Sequence, residues 1–521
     1  MTWNEQTSRE RVERNDFSDL DLNVKDLSRS MDFNKLGKKD VRRAEAVHMY
    51  VDMPNFHRAV DDAGNDLQKQ RKLVRASSVL RRIQGSLMAD DDVGDIQRQT
   101  VRAHGLVFKP YNGKDTANDA ERAKLAVIHA FTENTYVLDV FNSVFSDVRN
   151  FSSAVGLASG TSYLCNVGKT GKRELISLGT CANLAAKIIG GRDSVTITVQ
   201  MYDLLPEFLQ DHFAKDKEVA GVQTYRATGV RWSNEPELAK ELGVEWDEQK
   251  WKDETERHRD NLPLDQITIS SASTLIDVMK LTERNCKRTE AITFYADLDG
   301  FTKYVQDAET DDKIISLIRQ FHMIRAEFET VVGTDYDGLA LQQRGDCILG
   351  IVHLPSGTAK HSDRCSDAVD VAVALQSSME HVLNEHLTDR EDIHVAVGMD
   401  VGKVIVSRLG KKGERINICF GPEVSEAERL QMISSEKQIR IASEIYDQLD
   451  DEVLTEEFTK RGAAYVATNL TFPRLDEKRE EAAAESNSLA ASVSNGQVHV
   501  ATGSSRSNDQ SWHNSKPWSR G

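Results

Sequence analysis

The chain has 521 residues, with 66 Lys and Arg against 83 Asp and Glu and a net charge of −17. At ~150 residues per domain, this length implies two to four domains, each able to bury a core. The acidic balance excludes nucleic acid or an anionic membrane surface as the expected main partner, so a polyanionic substrate has to be held locally, by metal ions or a few placed cations. Apolar runs such as Leu125–Ala130 fall far short of the ~20 residues that cross a bilayer. The opening MTWNEQTSRERVERND is charged and lacks an apolar core, so no secretory leader is expected. Cys165, Cys181, Cys286, Cys347, Cys365 and Cys419 are scattered without a C-x-x-C pair, as reduced thiols of a cytoplasmic protein would be.

After an N-terminal segment, 1–34, the strand-like run HMYVDMPNFHRAVDDA (48–63) leads into helical spacing over Val74–Met88. VRAHGLVFKP (101–110) reads as a strand, Ala120–Ala130 as a helix, and VGLASGTSYLCNVG (155–168) as a strand, followed by LGTCANLAAKI (178–188) and MYDLL (201–205). The same series returns about 240–245 residues later: TFYADLDGFTKYVQDA (293–308), Ile314–Val332, LQQRGDCILGIV (341–352), Ser366–Met379, VGMDVGKVIVSRLG (397–410), FGPEVSEAERL (420–430) and IYDQL (445–449). The chain is therefore read as a duplication of an α+β unit, an antiparallel-rich sheet covered by helices, over 35–229 and 288–472. Residues 230–287, rich in Glu, Lys, Arg and Trp, are expected to form a helical, solvated connector. Residues 473–521 are expected to be a disordered tail.

In the second unit Asp297 ends an apolar strand and Asp346 sits in an R-G-D turn. Two carboxylates at the ends of adjacent strands can hold a pair of divalent metal ions, with the Leu298 carbonyl as an extra ligand. Taken singly, each also fits a structural role, Asp297 as a helix cap and Asp346 as a hairpin residue.

YADLDGF (295–301), QRGDCIL (343–349), VGMDVGKVIVSRLG (397–410) and FGPEVSEAERL (420–430) together resemble the successive signatures of class III nucleotidyl cyclase domains. YVDMPNF (50–56), ASGTSYLCNVG (158–168) and LGTCANLAAK (178–187) of the first unit resemble them more weakly. The resemblance implies two tandem cyclase domains pairing head to tail, with sites at the shared cleft. One partner supplies two metal-binding aspartates. The other supplies base-reading side chains and an Asn and an Arg on one helix. On that basis Asp297, Leu298 and Asp346 of the second unit would hold two Mn²⁺ or Mg²⁺ ions. Asn183 and Lys187 of the first would orient the ribose and stabilise the transition state, and Phe301 would join the substrate pocket. The mirror-image site would combine Asp52, Ser425 and Arg429, with Leu106 expected at the second aspartate position and Ser425 where an Asn belongs, and is expected to be vestigial.

The resemblance places base readers at Arg102 and Ile176 in the first unit, with Gln342 and Ile418 as counterparts in the second. Neither pair matches the adenine or guanine readers of the family. Ile176 offers no hydrogen bond, whereas Arg102 can donate to ring carbonyls of uracil or cytosine. Tyr50 would close the pocket against a smaller ring. The whole resembles the pyrimidine cyclases of bacterial antiphage defence, which implies UTP, and less so CTP, as substrate, a cyclic nucleotide and pyrophosphate as products, and a separate effector protein activated by that messenger. Two other readings stay open: an adenylate cyclase with atypical base contacts, and a nucleotide-sensing pseudocyclase without turnover. So do pairing of the units within one chain and pairing across a homodimer.

Overall fold

The computed structural model describes residues 3–494 except 16, 18–19, 28–35, 88–92, 99–102, 109–116, 169–173, 309, 356–360, 388–391 and 411–414. By its contacts the chain divides into Met1–Phe472 and Pro473–Gly521.

The larger part contains two nine-stranded sheets. The first uses β1 (Asn23–Asp26), β2 (Asp40–Asp52), β3 (Val93–Arg98), β4 (Ala103–Val107), β5 (Ala154–Val167), β6 (Glu174–Leu178), β7 (Ser194–Thr198), β8 (Ala214–Val219) and β9 (Val222–Thr228). The second uses β10 (Thr268–Ser271), β11 (Asn285–Asp299), β12 (Leu339–Arg344), β13 (Cys347–Leu354), β14 (His394–Leu409), β15 (Ile416–Phe420), β16 (Gln438–Ala442), β17 (Thr459–Arg461) and β18 (Ala464–Thr468). Their orders are identical in kind, β3-β4-β2-β5-β7-β9-β8 and β12-β13-β11-β14-β16-β18-β17, with β1, β6, β10 and β15 attached at equivalent places. The pairing is antiparallel except where β1 meets β2, β5 meets β7, and their counterparts in the second sheet. The duplicated α+β architecture read from the sequence is thus the architecture of the fold.

Strand periodicity decides which side chains face the sites. Val47, Met49 and Val51 of β2 bury against Ala126, Val127 and Phe131 of the helix Ala117–Thr135. Residues 48, 50 and 52 then point to the opposite face. β11 repeats this arrangement, so Tyr295 and Asp297 share a face.

Two glycines set the distance between the sheets and the helices that carry the candidate catalytic groups. A Cβ on Gly156 would come 2.1 Å from the Ala185 carbonyl, and one on Gly398 would come 2.1 Å from the Gln431 nitrogen. Only glycine lets the helices Thr180–Lys187 and Pro422–Met432 lie this close to β5 and β14.

The two units dock reciprocally. The β14–β15 ribbon of the second contributes Ile405, Leu409, Ile418 and Phe420 to an apolar cluster with Tyr136, Phe141 and the helix Leu67–Leu87 of the first. The β5–β6 ribbon of the first meets the corresponding helix of the second, Asp311–Thr330, through polar contacts. Tyr163 donates to Asp311 (2.9 Å) and the Gly168 amide donates to His322 Nδ1 (3.3 Å). Each unit thus offers the other the same parts, as in an isologous pair, here within one chain.

Two expectations need correction. The 230–287 connector is helical over Pro236–Glu241 and Glu248–Asp260, but it is not simply solvated. Trp232, Leu238, Leu262 and Ile267 are buried in the cores of the units, because its tryptophans and leucines have apolar area to hide. The tail expected without structure from 473 instead begins as a helix, Phe472–Ser494. Its Glu, Ala, Lys and Arg are strong helix formers; 495–521 lie outside the described residues. In the N-terminal segment, the helix Glu5–Arg14 packs on the second unit, where Ser8 and Arg11 meet Glu327. The six cysteines are not joined by disulfides, and no helix among the described residues is long and apolar enough to cross a membrane.

Candidate active site

Each metal-candidate aspartate sits where the fold gives it few alternatives. Asp297 lies near the end of β11, opposite Ala396 of β14. It is no helix cap: the next helix starts at Phe301 behind Gly300, whose φ of +92° is left-handed. Asp346 follows Gly345 (φ +64°) in the two-residue turn joining β12 to β13, where Arg344 pairs with Cys347. Burial raises both carboxyl pKa values well above the ordinary range. For Asp297 the Asp299 charge adds to this, while a Gln431 hydrogen bond and Lys187 oppose it. For Asp346 the Asp297 charge adds, and Lys187 and Arg325 oppose.

Lys187 comes from the first unit, so its field on both aspartates joins the two halves electrostatically. Asn183, one helical turn earlier, lines a narrow slot of about 40 Å³ together with Tyr50, His104 and Ile176 from the first unit and Phe301 and Asp346 from the second. Tyr50, Ile176, Asn183, Phe301 and Asp346 are therefore brought together. Leu298 is buried next to Asp297, and Arg102 lies outside the described residues.

His104 is a slot residue that the motifs did not announce. It sits opposite Tyr50 in the sheet, stacked under its ring at 3.9 Å, and its Nε2 lies 2.9 Å from His48 Nδ1. Burial holds both imidazoles neutral, with His48 pushed down to about 3 and His104 lowered further by His48. Burial, then the Asp346 charge, keeps the Tyr50 phenol protonated.

The sheet register corrects two alignments. Leu106 pairs with His48 just as Ile351 pairs with Thr293, so it lies inside β4 and not at a metal turn. The counterpart of Asp346 on this register is position 101, a valine in the sequence and outside the described residues. Likewise Gln342 lies opposite Leu349 as Gln97 lies opposite His104. Gln97 is thus the register counterpart of Gln342 in the first unit.

The mirror-image cavity is larger, about 910 Å³, yet chemically unsuited to a triphosphate. Asp52, Ser425 and Arg429 do line it, beside Asp400, Glu423, Glu426 and Glu444. Arg429 is engaged by Glu426 through two hydrogen bonds, Nε to Oε2 at 2.7 Å and Nη2 to Oε1 at 2.5 Å. Burial raises Asp400 to about 7, with Glu423, Glu426 and Glu444 adding to the shift. Such a surface repels a polyanion.

Residues 285–476 match the family described as the adenylate and guanylate cyclase catalytic domain. The match agrees with the resemblance of this part of the chain to class III nucleotidyl cyclase domains. Over 474 residues the chain is 27% identical to a uridylate cyclase of Pseudomonas aeruginosa, with 86% of each covered. It is 24% identical over 409 residues to a uridylate cyclase of a Rhizobium species, covering 74% of this chain and 75% of that one. The fold is also similar to the crystal structure of a class III adenylyl cyclase-like ATP-binding protein from Pseudomonas aeruginosa, with a TM-score of 0.75 and 25% identity over 91% of this chain and 99% of that one. The cyclase architecture therefore spans both units.

Divalent cations fit the residues of the split site. Two half-buried, mutually repelling carboxylates supply hard oxygen donors, and the opposing positive field comes from Lys187 and Arg325. Among the described residues no group of three or more His, Cys, Asp and Glu is placed to hold a metal, so backbone oxygen such as that of Leu298, substrate phosphate and water would complete the shell.

Proposed function

We propose that this cyclase converts a pyrimidine nucleoside triphosphate, UTP in preference to CTP, to the 3′,5′-cyclic nucleotide and pyrophosphate at one site shared by its two units. The observation that carries the reading is the slot itself. Its ribose-side Asn183 and base-side Tyr50 and Ile176 come from one unit, while the metal-turn Asp346 comes from the other. The mirror cavity lacks this complement.

Asp297 and Asp346, with the Leu298 carbonyl, would hold two Mn²⁺ or Mg²⁺ ions, which when bound lower the pKa of the ribose 3′-hydroxyl and neutralise the triphosphate. Asn183 orients the ribose so that the 3′-oxygen faces the α-phosphorus in line with the leaving pyrophosphate. The new P–O3′ bond forms as the bond from the α-phosphorus to the bridging oxygen breaks, pyrophosphate leaves with that oxygen, and the hydroxyl proton passes to water. Lys187 stabilises the charge that grows on the α-phosphate oxygens. Tyr50, Ile176 and Phe301 wall the base. Ile176 cannot pair with a purine edge, which removes one source of purine selection. The two relatives named uridylate cyclase support uracil as the base. The resemblance to antiphage pyrimidine cyclases supports a messenger role toward a separate effector in a cytoplasmic defence.

Incubating purified protein with Mn²⁺ and UTP, CTP, ATP or GTP separately, with products identified by mass, tests the reading. Cyclic UMP as the dominant product is expected. Cyclic AMP alone would instead favour the adenylate reading that the ATP-binding structural neighbour suggests, and tight binding without product would favour the pseudocyclase.

A further inference from the structure

We propose that Glu174 and Arg325 form a latch by which docking of the first unit sets the geometry of the metal-binding turn in the second. This makes them positioning residues for Asp346. The proposal rests on the reading of Asp346 as a metal ligand.

Arg325 lies on the helix Asp311–Thr330 with a side chain only 2% exposed. Its Nη2 donates to the Gly345 carbonyl at 2.7 Å, next to Asp346, and its guanidinium lies 4.5 Å from the centre of the Phe321 ring. A guanidinium buried this deeply is costly without acidic partners. Glu329 comes from the same helix, Asp346 acts from the turn itself, and Glu174 comes from the first unit. Glu174 Oε2 lies 3.8 Å from Arg325 Nη1, and its Oε1 accepts from the Gln343 amide at 3.4 Å. Gln343 in turn donates its side-chain amide to Glu329 at 3.0 Å. The residues leading into Asp346 are therefore held at Gln343 and Gly345, and one of the holding groups belongs to the other unit.

The location of Glu174 gives the latch its meaning. It opens β6, the strand whose third residue is Ile176 in the slot wall. One short strand thus presents the base wall and also fixes the turn that carries Asp346. A second unit without its partner would keep Asp297 and Asp346 in sequence, and Glu329 beside Arg325, but lose Glu174, the acid that offsets Arg325 from across the docked face. Gly345, in the left-handed region with open space around its Cβ position, could then relax away from the geometry that Arg325 imposes.

The experiment uses the full-length protein and two variants, Glu174→Gln, which removes the charge but keeps an acceptor, and Arg325→Lys, which removes the fork. Two readouts are taken: hydrogen–deuterium exchange of the 343–347 segment without nucleotide, and the Mn²⁺ concentration giving half-maximal cyclisation. The latch predicts faster exchange confined to that segment and, for Glu174→Gln, about a tenfold higher Mn²⁺ requirement, with turnover recovering at saturating Mn²⁺. Unchanged exchange and unchanged Mn²⁺ dependence in Glu174→Gln would overturn it, as would exchange rising uniformly over the second sheet, which marks general destabilisation. If the wild-type protein turns over no triphosphate, the cyclase reading fails, and the exchange measurement alone decides the latch.

Discussion

Tyr50 and His104 lie face to face across adjacent strands, ring centroids 3.9 Å apart and planes 15° from parallel. His104 is in turn anchored to His48 by a 2.9 Å hydrogen bond between neutral imidazoles. This column of three rings fixes the plane of the Tyr50 wall. Replacing His104 by Ala is expected to narrow the preference for UTP over ATP, read as the ratio of kcat/KM values. It should also cost about 2 kcal/mol of stability, because the His48 nitrogen loses its buried partner. His104→Phe keeps a ring under Tyr50 and should retain more of the selectivity. An unchanged ratio in His104→Ala would remove the column from base selection.

On the proposed reading Asn183 and Lys187 act on the reacting groups, so their loss should appear in kcat more than in KM. Lys187→Ala is expected to lower kcat by about 10²-fold, as does removal of a single charge-stabilising donor elsewhere. Lys187→Arg should stay within about tenfold of wild type, since a guanidinium supplies the same charge with a different fork. Steady-state kinetics with Mn²⁺ and UTP check both, and full activity in an Asn183→Ala/Lys187→Ala double variant would show that the first unit does not complete the site.

Because Asp297 and Asp346 have pKa values raised in the fold, the folded protein retains protons that the unfolded chain has already lost. Their contribution to stability is therefore largest at acid pH and declines as pH rises above the usual carboxylate range through the raised values. A divalent cation takes the place of those protons, so the rise in melting temperature on adding Mn²⁺ to EDTA-treated protein should be larger at pH 8.5 than at pH 6. A rise independent of pH, or larger at pH 6, would contradict the two-carboxylate site.

The N-terminal helix secures a buried charge. Glu327 is 1% exposed and accepts from Ser8 (2.7 Å) and Arg11 (2.6 Å), while Arg11 also reaches Asp335 at 2.9 Å. Arg11→Ala takes the cationic partner from both acids and is expected to destabilise the protein by about 3 kcal/mol, read from chemical denaturation. A loss below about 0.5 kcal/mol would mean that the pair behaves like a surface contact.

The duplication and the main candidate residues are legible because fixed spacing marks them. Asp297, Asp346, Asn183 and Lys187 each sit in a motif whose neighbours repeat in the other half. Register inside β4 is not legible: Ala103–Val107 are buried throughout, so no alternation of polar and apolar residues fixes which one meets Tyr50. That is why motif alignment puts Leu106 at a metal position and leaves His104 unmarked. Glu174 and Arg325 carry no local signal at all, since they meet only when the two units dock. Composition misleads at the tail, where the Glu- and Ala-rich residues after Phe472 suit a helix as well as a solvated coil.

Asp52 and Asp297 occupy equivalent strand positions, β2 against β11, on opposite sides of the pseudo-symmetric pair. The most direct test of a single competent site is the turnover of Asp297→Asn beside that of Asp52→Asn, under saturating Mn²⁺ and UTP. One working site predicts a loss of about 10³-fold or more in Asp297→Asn and activity within about twofold of wild type in Asp52→Asn. Equal losses in the two variants would mean that both clefts are needed, and would contradict the split-site account.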